Sequence, residues 1–310
     1  MGRFDGRVVI VTGAARGIGR AHALAFAAEG ATVVVNDLAE RPGTDAAAVV
    51  DEIRAGGGTA VADTHSATAD GAAHIVAHAL DSFGRLDALV NNATAFGAGD
   101  LWRLAPADWD RTIAVNLSGY FAMIQAAVPA MARTGGGAIV NTSSQSGYGH
   151  PSLVAYAAAK EGVIGLTRTT AKEVGRFGIR CNAIRPVAVT PGVEEYRGRA
   201  NPWLDLMDAT MGPRTAGLDP EKFGPAKIAP FVVWLCSDAA HDVNGRTFLV
   251  MGDRITLCTE PEPETFVQRR GGWTLDALDE IAPRDLVAGC TNPYRLDDHP
   301  ELQRFPDDPA

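Results

Sequence analysis

Tyr156 and Lys160 stand four residues apart in an Ala-rich segment with a helical pattern, so both side chains lie on one helix face, one turn apart. A free tyrosine has a pKa of about 10, which is too high for a base at neutral pH. A neighbouring ammonium group favours the phenolate and lowers that pKa. The pair predicts a group that exchanges protons with a substrate, although an exposed pair on an amphipathic helix has the same spacing.

A hydroxyl-rich segment, Asn141–Gly147, lies just before this helix at the end of a predicted strand. At that carboxyl end, the hydroxyl of Ser143 or Ser144 can hydrogen-bond the oxygen at which a substrate reacts. Serines at a strand end also favour turns. The conjunction of this segment with the Tyr and Lys helix is what predicts a proton-handling site.

A glycine-rich turn, Thr12–Gly19, follows the first predicted strand and opens a helix. Gly13 permits the tight turn, Gly17 lets the backbone approach a pyrophosphate, and Gly19 allows the helix to pack closely on the strand. The first helical turn offers free N–H groups and the positive end of its dipole to phosphates. Because a strand precedes the motif and a helix follows it, the turn predicts a dinucleotide site.

An acidic residue, Asp37, ends the second predicted strand 18 residues after Gly19. Its carboxylate can accept hydrogen bonds from the ribose hydroxyls of an adenosine and repels a 2′-phosphate, which predicts NAD as the cofactor. A solvated strand-end acid is the alternative. Arg16 argues for NADP, because it could pair with a phosphate. Asp63, which closes the third strand, could bond the adenine amine or serve as a helix cap.

Short β-branched runs alternate with Ala-rich helical segments along most of the chain. This pattern predicts an α/β fold with a single doubly wound, Rossmann-type parallel sheet and helices on both faces. The predicted strands are Val8–Val11, Thr32–Asn36, Thr59–Ala62, Ala88–Val90, Ala138–Asn141 and Ile179–Ile184. The predicted helices lie near Ile18–Glu29, Thr44–Ala55, Gly71–Phe83, Ala107–Ala132 and Ala155–Val174.

One domain is predicted over residues 1–252, because no Pro- or Ser-rich linker divides that range. Residues from about 187 to 227 are rich in Pro, Gly and Met and follow the sixth strand, at the edge where open α/β folds bind ligands. This segment is expected to form a substrate lid. Residues 253–310, which are rich in Pro and acidic residues, are expected to form a C-terminal extension or arm.

The net charge of −9 over 310 residues argues against nucleic acid or an anionic membrane surface as a partner. Four widely spaced cysteines predict reduced, structural thiols. No apolar run reaches the length of a membrane helix, and a cytoplasmic location is expected. His74 and His78 have metal-ligand spacing, but no third ligand completes a site; a solvated helix face and no metal are expected.

Jointly, these motifs resemble those of the short-chain dehydrogenases/reductases, over about residues 4–252. Further positions that carry the resemblance are Asn91-Asn92-Ala93, Asn116 and Pro186. The run Val33–Leu38 is also similar to the dehydrogenase domain of multifunctional β-oxidation enzymes and to bacterial hydroxysteroid dehydrogenases. The resemblance implies an oxidoreductase with a C-terminal extension.

By this resemblance Tyr156 is the catalytic acid and base, and Lys160 lowers its pKa and binds the nicotinamide ribose. Ser144 steadies the substrate oxygen, and Asn116 positions a water that relays protons to Lys160. Asn91 and Ala93 are expected beside the cofactor. The predicted cofactor-binding residues are Gly13, Arg16, Gly17, Ile18, Gly19, Asp37, Leu38, Asp63, Thr64, Asn91, Ala93, Tyr156, Lys160, Pro186, Val189 and Thr190.

The sequence departs from the family's pattern at several positions. Thr94 stands where the family usually has glycine, so the pocket floor is expected to differ. Val187 replaces another usual glycine and adds bulk beside the nicotinamide. Thr190, which is assigned to the carboxamide of the nicotinamide, lies one position earlier than the family's commonest spacing. The usual separation of 13 residues from serine to Tyr156 fits Ser143, whereas the Ser-x-x-Gly pattern fits Ser144; Ser144 is preferred and Ser143 stays open.

The resemblance implies hydride transfer between NAD(H) and a secondary alcohol or ketone. Met and aromatic residues in the lid favour a bulky apolar substrate, such as a hydroxysteroid, a hydroxyacyl thioester or a terpenoid or aromatic alcohol, although lid packing explains them equally well. An NADP-dependent carbonyl reductase and a catalytically weak cofactor-binding regulator are the alternatives. By analogy with the family, a homotetramer or homodimer is expected. The predicted substrate residues are Phe96, His150, Val187, Trp203 and Met207.

Overall fold

The computed structural model describes residues 2–39, 45–199, 203–211, 219–292, 294–299 and 302. In these ranges eight strands form one sheet in the order β3-β2-β1-β4-β5-β6-β7-β8, and only β8 runs antiparallel to its neighbour. The order reverses between β1 and β4, which is where open α/β sheets bind ligands. The strands are β1 Val8–Thr12, β2 Thr32–Asn36, β3 Thr59–Asp63, β4 Ala88–Asn91, β5 Gly137–Thr142, β6 Ile179–Val187, β7 Thr247–Met251 and β8 Arg254–Leu257.

Helices connect these strands as the alternating pattern predicted. A π-helical turn, Ala114–Ser118, joins α4 to α5, and such turns are frequent at functional sites. The helices are α1 Gly17–Ala28, α2 Ala46–Ala55, α3 Ala72–Phe83, α4 Pro106–Ile113, α5 Gly119–Arg133, α6 Val154–Val174, α7 Pro191–Arg199, α8 Leu204–Met211, α9 Ala229–Cys236 and α10 Leu275–Ile281.

Two apolar cores cover the two faces of the sheet. One joins the strands to α1, α2 and α9, and Phe26 and Ile53 are among its buried residues. The other joins them to α3, α5 and α6, and Ile75 and Met123 are among its buried residues. Burial on both faces explains why the strands are continuous apolar runs rather than alternating ones. The predicted doubly wound fold is therefore confirmed.

The chain divides into two compact units, of which the first comprises Met1–Trp203 with Thr215–Cys258, and the second Leu204–Arg214 with Thr259–Ala310. Strand β8 therefore belongs to the sheet, although the sequence assigned residues from 253 onward to the extension. Gly252 has a φ of +56° and turns the chain from β7 back into β8. Within the expected lid, residues 200–202 and 212–218 lie outside the described residues, and α8 belongs to the second unit.

One helix in the described ranges, Pro106–Arg133, is long and apolar enough by length and composition to cross a membrane. No apolar run of that length was predicted from the sequence. Core helices of soluble proteins satisfy the same criterion, and Met123 and Met131 of this helix are fully buried in the second core. All four cysteines are free thiols; Cys181 and Cys236 are buried as structural thiols are, whereas Cys258 is half-buried and Cys290 is exposed.

His22 on α1 is fully buried, and neither of its ring nitrogens has a hydrogen-bond partner in the part of the chain that the structure describes. Burial lowers the pKa of His22 to about 3, because the imidazolium form loses its hydration there. The unfolded chain binds this proton near pH 6.5. The contribution of His22 to stability is therefore complete above about pH 6.5 and declines as the pH falls toward about 3.

We expect His22→Leu to remove this pH dependence. Between pH 7.5 and 5 the wild type should lose about 2 kcal/mol of unfolding free energy that the variant retains, since the unfolded histidine gains a proton that the folded one refuses. Urea unfolding at several pH values measures the difference. His241→Gln, at an exposed histidine, is the control. Parallel pH curves for wild type and His22→Leu would contradict the prediction.

Candidate active site

The glycine turn after β1 is close-packed as its sequence predicted. Gly13 has a φ of +63°, and a Cβ there would lie 2.8 Å from the Cα of Ala93. A Cβ on Gly19 would lie 2.1 Å from the carbonyl oxygen of Gly13, so α1 packs directly on the turn. Among the described residues, no side chain caps the start of α1. Its first N–H groups are therefore available to an anion.

A cavity of about 580 Å³ opens beside this turn at the carboxyl edge of the sheet. Its volume and the uncapped helix beside it fit a large part of a nicotinamide dinucleotide. Gly17 borders it with a φ of +57°, which favours glycine, and a Cβ there would be in ordinary van der Waals contact with Thr190. The predicted cofactor-binding residues that line the cavity are Gly13, Arg16, Gly17, Ile18, Asp37, Leu38, Ala93 and Thr190.

Asp37 lines the same cavity and is held by two backbone N–H groups. Oδ2 accepts from Ala15 at 3.0 Å, and Oδ1 accepts from Leu38 at 2.9 Å. Arg16, the residue that argued for a phosphate, donates to Glu195 on α7 at 3.1 Å. A carboxylate fixed at the end of β2 suits ribose hydroxyls, and the paired guanidinium offers less to a 2′-phosphate.

Asp63 does not reach the cavity. Its buried carboxylate accepts from Asn36 at 2.8 Å and lies 3.1 and 2.8 Å from the Nδ1 atoms of His65 and His78. Burial raises the pKa of this carboxyl, but the hydrogen bonds from His65, His78 and Asn36 outweigh burial and lower it. The carboxylate is thus engaged within the fold rather than aimed at an adenine. The neighbouring Thr64 is exposed and lies outside the cavity lining.

His78 consequently differs from its expected place on a solvated helix face, because it bonds Asp63. His74 stacks on His65 with ring centroids 5.1 Å apart. Within the described ranges, no group of three His, Cys, Asp or Glu side chains is placed to hold a metal ion.

Other predicted cofactor residues serve the frame of the site. Asn91 is fully buried, and its side chain donates to Asn141 on β5 at 2.9 Å. Pro186 pairs with Val250 inside the sheet, and the N–H of Val189 donates to Phe223 at 2.8 Å. None of these three belongs to the described lining of the cavity.

The two candidate serines at the end of β5 occupy different environments. Ser143 is buried, and its hydroxyl donates to the carbonyl oxygen of Lys160 at 2.6 Å, which ties β5 to α6. Ser144 is half-buried, and its Oγ accepts from the N–H of Ser146 at 3.1 Å. A hydrogen bond from the Ser144 hydroxyl also tends to lower the pKa of the Tyr156 phenol. The geometry therefore favours Ser144 for contact with a substrate oxygen.

Tyr156 lies in the first turn of α6, beside the cavity rather than on its lining. Its ring packs edge-on against Phe96, a lining residue, with centroids 5.9 Å apart. Burial raises the pKa of Tyr156, while the Thr94 and Ser144 hydroxyls act in the opposite direction and only partly offset it. The sequence predicted a lowered pKa with Lys160 and an oxidised nicotinamide ring beside the phenol, and in the chain alone burial acts against that lowering.

Lys160 is fully buried beneath Tyr156, with its Nζ 5.4 Å from the centroid of the tyrosine ring. The ammonium donates to the Thr142 carbonyl at 2.7 Å and to the Tyr120 hydroxyl at 3.1 Å. Burial lowers the pKa of Lys160 to about 7. The site therefore holds a buried lysine with a lowered pKa, and its Nζ is directed at the carboxyl end of β5.

Asn116 lies in the π-helical turn and is fully buried. Its Nδ2 donates to the carbonyls of Ala95 and Thr112, and its Oδ1 accepts from the Thr94 hydroxyl at 2.7 Å. Thr94 thus departs from the family's glycine by adding a hydroxyl that joins Asn116 to the surroundings of Tyr156. The change that the sequence predicted at the pocket floor is therefore this additional hydroxyl of Thr94.

The predicted substrate residues divide among several places. Phe96 lines the cavity. His150 lines a second cavity of about 450 Å³ and packs against Tyr196 with centroids 5.7 Å apart. Val187 ends β6, and Trp203 donates from Nε1 to Asp100 at 2.6 Å.

The fifth predicted substrate residue, Met207, lies on α8 in the second unit and is 1% exposed. Of the five, only Phe96 is among the described residues that line the 580 Å³ cavity.

Sequence reasoning missed three contributors to the site. Tyr120 accepts a hydrogen bond from the Lys160 ammonium, and nothing in the sequence around Tyr120 predicts this role. Thr12 accepts at Oγ1 from the N–H groups of Asn92 and Ala93, which fixes the segment after β4 against the glycine turn. Glu195, which pairs with Arg16, comes from α7, and only the folded chain brings these two residues together.

This fold and site define a nicotinamide-dependent oxidoreductase. The family model for short chain dehydrogenases matches residues 7–201. The chain belongs to that family, as its motifs predicted. Its fold is similar to the crystal structure of a short chain dehydrogenase from Mycobacterium avium, with 38% sequence identity, a TM-score of 0.76, and coverage of 90% of this chain and 94% of the other.

Two relatives bear on its activity. A hydroxyacyl-CoA dehydrogenase of Mycobacterium tuberculosis is 38% identical over 304 residues, which span 92% of this chain and 90% of that protein. A peroxisomal multifunctional enzyme type 2 of Drosophila melanogaster is 41% identical over 247 residues, 77% of this chain. The aligned region spans 38% of the length of that second relative.

Proposed function

We propose that this chain is an NAD-dependent dehydrogenase that interconverts a bulky secondary alcohol and its ketone, with a hydroxyacyl thioester as the substrate. The observation that carries the proposal is the meeting of Tyr156, Ser144 and Lys160 at the carboxyl edge of the sheet, beside a cavity whose lining includes Asp37. The similarity to a hydroxyacyl-CoA dehydrogenase along nearly the whole chain supports the thioester over a hydroxysteroid or a terpenoid alcohol.

The protein's own groups handle the proton and the oxygen. In oxidation Tyr156 takes the proton of the alcohol, and in reduction it returns a proton to the ketone oxygen. Ser144, whose Oγ accepts a backbone N–H and whose hydroxyl also bonds the Tyr156 phenol, can donate its proton to the substrate oxygen as charge develops there. A bound nicotinamide would supply the acceptor or donor of hydride. Lys160 beneath the phenol supplies positive charge when protonated.

NAD rather than NADP is proposed because of the charges at the adenosine end. The Asp37 carboxylate lines the cavity, and Arg16 is engaged by Glu195. Both features oppose a 2′-phosphate. Phe96, whose ring contacts those of Tyr156 and Tyr196, offers an apolar wall near the phenol that suits an acyl chain.

Turnover of a substrate panel tests this proposal. With NAD, we expect hydroxyacyl-CoA thioesters to exceed hydroxysteroids and aromatic secondary alcohols in kcat/KM by at least about tenfold, a difference of about 1.4 kcal/mol in transition-state binding. Absorbance of the reduced nicotinamide follows the reaction. A preference for another alcohol class would overturn the thioester assignment, and binding of cofactor without any turnover would favour the regulator.

The assembly and location are also proposals. A homotetramer or homodimer through α5 and α6 follows the family analogy and is checked by light scattering of the purified protein. A cytoplasmic location remains our expectation from the sequence, with no nucleic acid or membrane partner. Fractionation of source cells tests the location, and the named compartment of the Drosophila relative, the peroxisome, is the competing outcome.

A further inference from the structure

Arg185 is a buried cation that the mechanism above does not use. It lies on β6 and is 2% exposed. Its Nη1 donates to the carbonyl oxygen of Ser144 at 2.6 Å, and its Nη2 donates to Oε2 of Glu161 on α6, also at 2.6 Å. The guanidinium lies over the ring of Tyr148, 4.0 Å from its centroid. The Arg185 side chain thus joins the turn from Ser144 to Tyr148 (the serine turn) to β6 and to α6.

We propose that Arg185 and Glu161 form a clamp that positions Ser144 for the reaction, so that Arg185 is a positioning residue. The inference rests on the proposed dehydrogenase function and adds to it a determinant of rate. Ser144 immediately precedes a short 3₁₀ turn, Gln145–Tyr148, and its own orientation depends on how that turn is held.

Hydrogen bonds hold both the backbone carbonyl and the side chain of Ser144. Its carbonyl is held by Arg185, and its Oγ accepts the N–H of Ser146. The preceding residue, Ser143, is tied through its hydroxyl to the carbonyl of Lys160. The Ser144 hydroxyl also hydrogen-bonds the Tyr156 phenol, and the mechanism directs its proton at the substrate oxygen once a substrate is bound. Hydrogen bonds in a chain also strengthen one another.

Stability is a weak reason for such an arrangement. Burying the guanidinium carries a desolvation cost, and its partner Glu161 has a side chain that is 48% exposed, so their ion pair contributes little to stability. Here Arg185 Nε has no partner among the described residues, which adds to the cost. The fork of two donors, one on a carboxylate and one on a backbone carbonyl, instead gives orientation, which a point charge does not.

Gly147 shows how closely the serine turn fits the clamp. A Cβ at this position would lie 2.6 Å from Nη1 of Arg185 and 2.7 Å from Oε2 of Glu161. Both contacts are with the ends of side chains, so a methyl group at this position would displace the Arg185 and Glu161 side chains rather than the backbone. Gly147→Ala is therefore a way to disturb the clamp while leaving both of its charged residues in place.

The first experiment compares Arg185→Met and Arg185→Lys with the wild type, alone and combined with Ser144→Ala. We expect kcat to fall about 20-fold for Arg185→Met and about fivefold for Arg185→Lys, as for a slightly misplaced catalytic group. The KM for NAD should stay within about twofold, because the clamp does not touch the cofactor cavity. In the Ser144→Ala background the Arg185 substitutions should lower kcat further by less than about twofold, because the hydroxyl that Arg185 positions is absent.

Gly147→Ala should lower kcat about tenfold, and this loss should likewise disappear in the Ser144→Ala background. Gly289→Ala is the matched control, because a Cβ there meets nothing within 4 Å, and its kcat should equal that of the wild type. Circular dichroism and melting temperature identify any variant that fails to fold. Arg185→Lys and Gly147→Ala keep the test decisive if Arg185→Met is such a variant.

The outcomes separate the two proposals. If the wild type turns over no alcohol, the proposed function fails and the clamp fails with it. If the wild type is active, equal losses from the Arg185 variants with and without Ser144 overturn the clamp alone, as does a loss confined to the KM for NAD. A loss of kcat that vanishes in the Ser144→Ala background supports it.

Discussion

Tyr156→Phe is expected to lower kcat by about 10³-fold, within the range that a positioned acid or base contributes. The variant keeps the ring that packs on Phe96 and loses only the hydroxyl that Thr94 and Ser144 approach. Binding of NADH should therefore change by less than about threefold, because the phenol lies beside the cavity and not on its lining. Steady-state kinetics and fluorescence titration of NADH measure the two quantities.

Tyr294→Phe is the control for this experiment, since Tyr294 is exposed and carries the same change. Turnover by Tyr156→Phe within about tenfold of the wild type would refute the catalytic assignment, because another group would then have to move the proton. A variant that loses NADH binding as well would show that the hydroxyl holds the cofactor site together. The combination of intact binding and lost turnover is specific to an acid or base.

The sheet and the glycine turn could be predicted because their signals are local. Strands buried on both faces read as apolar runs, and Gly13 and Gly19 are required by close contacts in and around the turn itself. Asp37 was predicted correctly at the end of β2 for the same reason, since its place follows from where the strand ends. The burial of Tyr156, which opposes the lowered pKa expected beside Lys160 and a nicotinamide ring, could not be predicted, because spacing on a helix gives proximity but no measure of burial.

The remaining errors share a cause, which is contact between distant parts of the chain. Asp63 looked available to an adenine, but His78, on the next helix, occupies its carboxylate. Arg16 could not be assigned without Glu195, which lies 179 residues further along. Arg185 appeared in the sequence only as a residue before Pro186, and its partners come from the end of β5 and from α6. Pairings of this kind depend on the packed fold and leave no periodic pattern.

Asp37→Ser is expected to shrink the proposed preference for NAD over NADP by about 100-fold. In the wild type a carboxylate held by the N–H groups of Ala15 and Leu38 cannot turn away from a 2′-phosphate, and like charges about 4 Å apart repel by several kcal/mol in a partly buried site. Removing the charge lifts this repulsion and also weakens NAD, which loses its ribose acceptor. Dissociation constants for both cofactors, measured by titration, give the ratio.

Asp81→Ser, at an exposed aspartate on α3, controls for the loss of one negative charge from the whole protein and should leave the ratio unchanged. An equal affinity of the wild type for NAD and NADP would contradict the role of Asp37 and favour a carbonyl reductase. A second outcome separates Asp37 from Arg16. If Asp37→Ser weakens NAD without strengthening NADP, the carboxylate binds ribose but Glu195 still withholds Arg16 from the phosphate, and selectivity then resides in that ion pair.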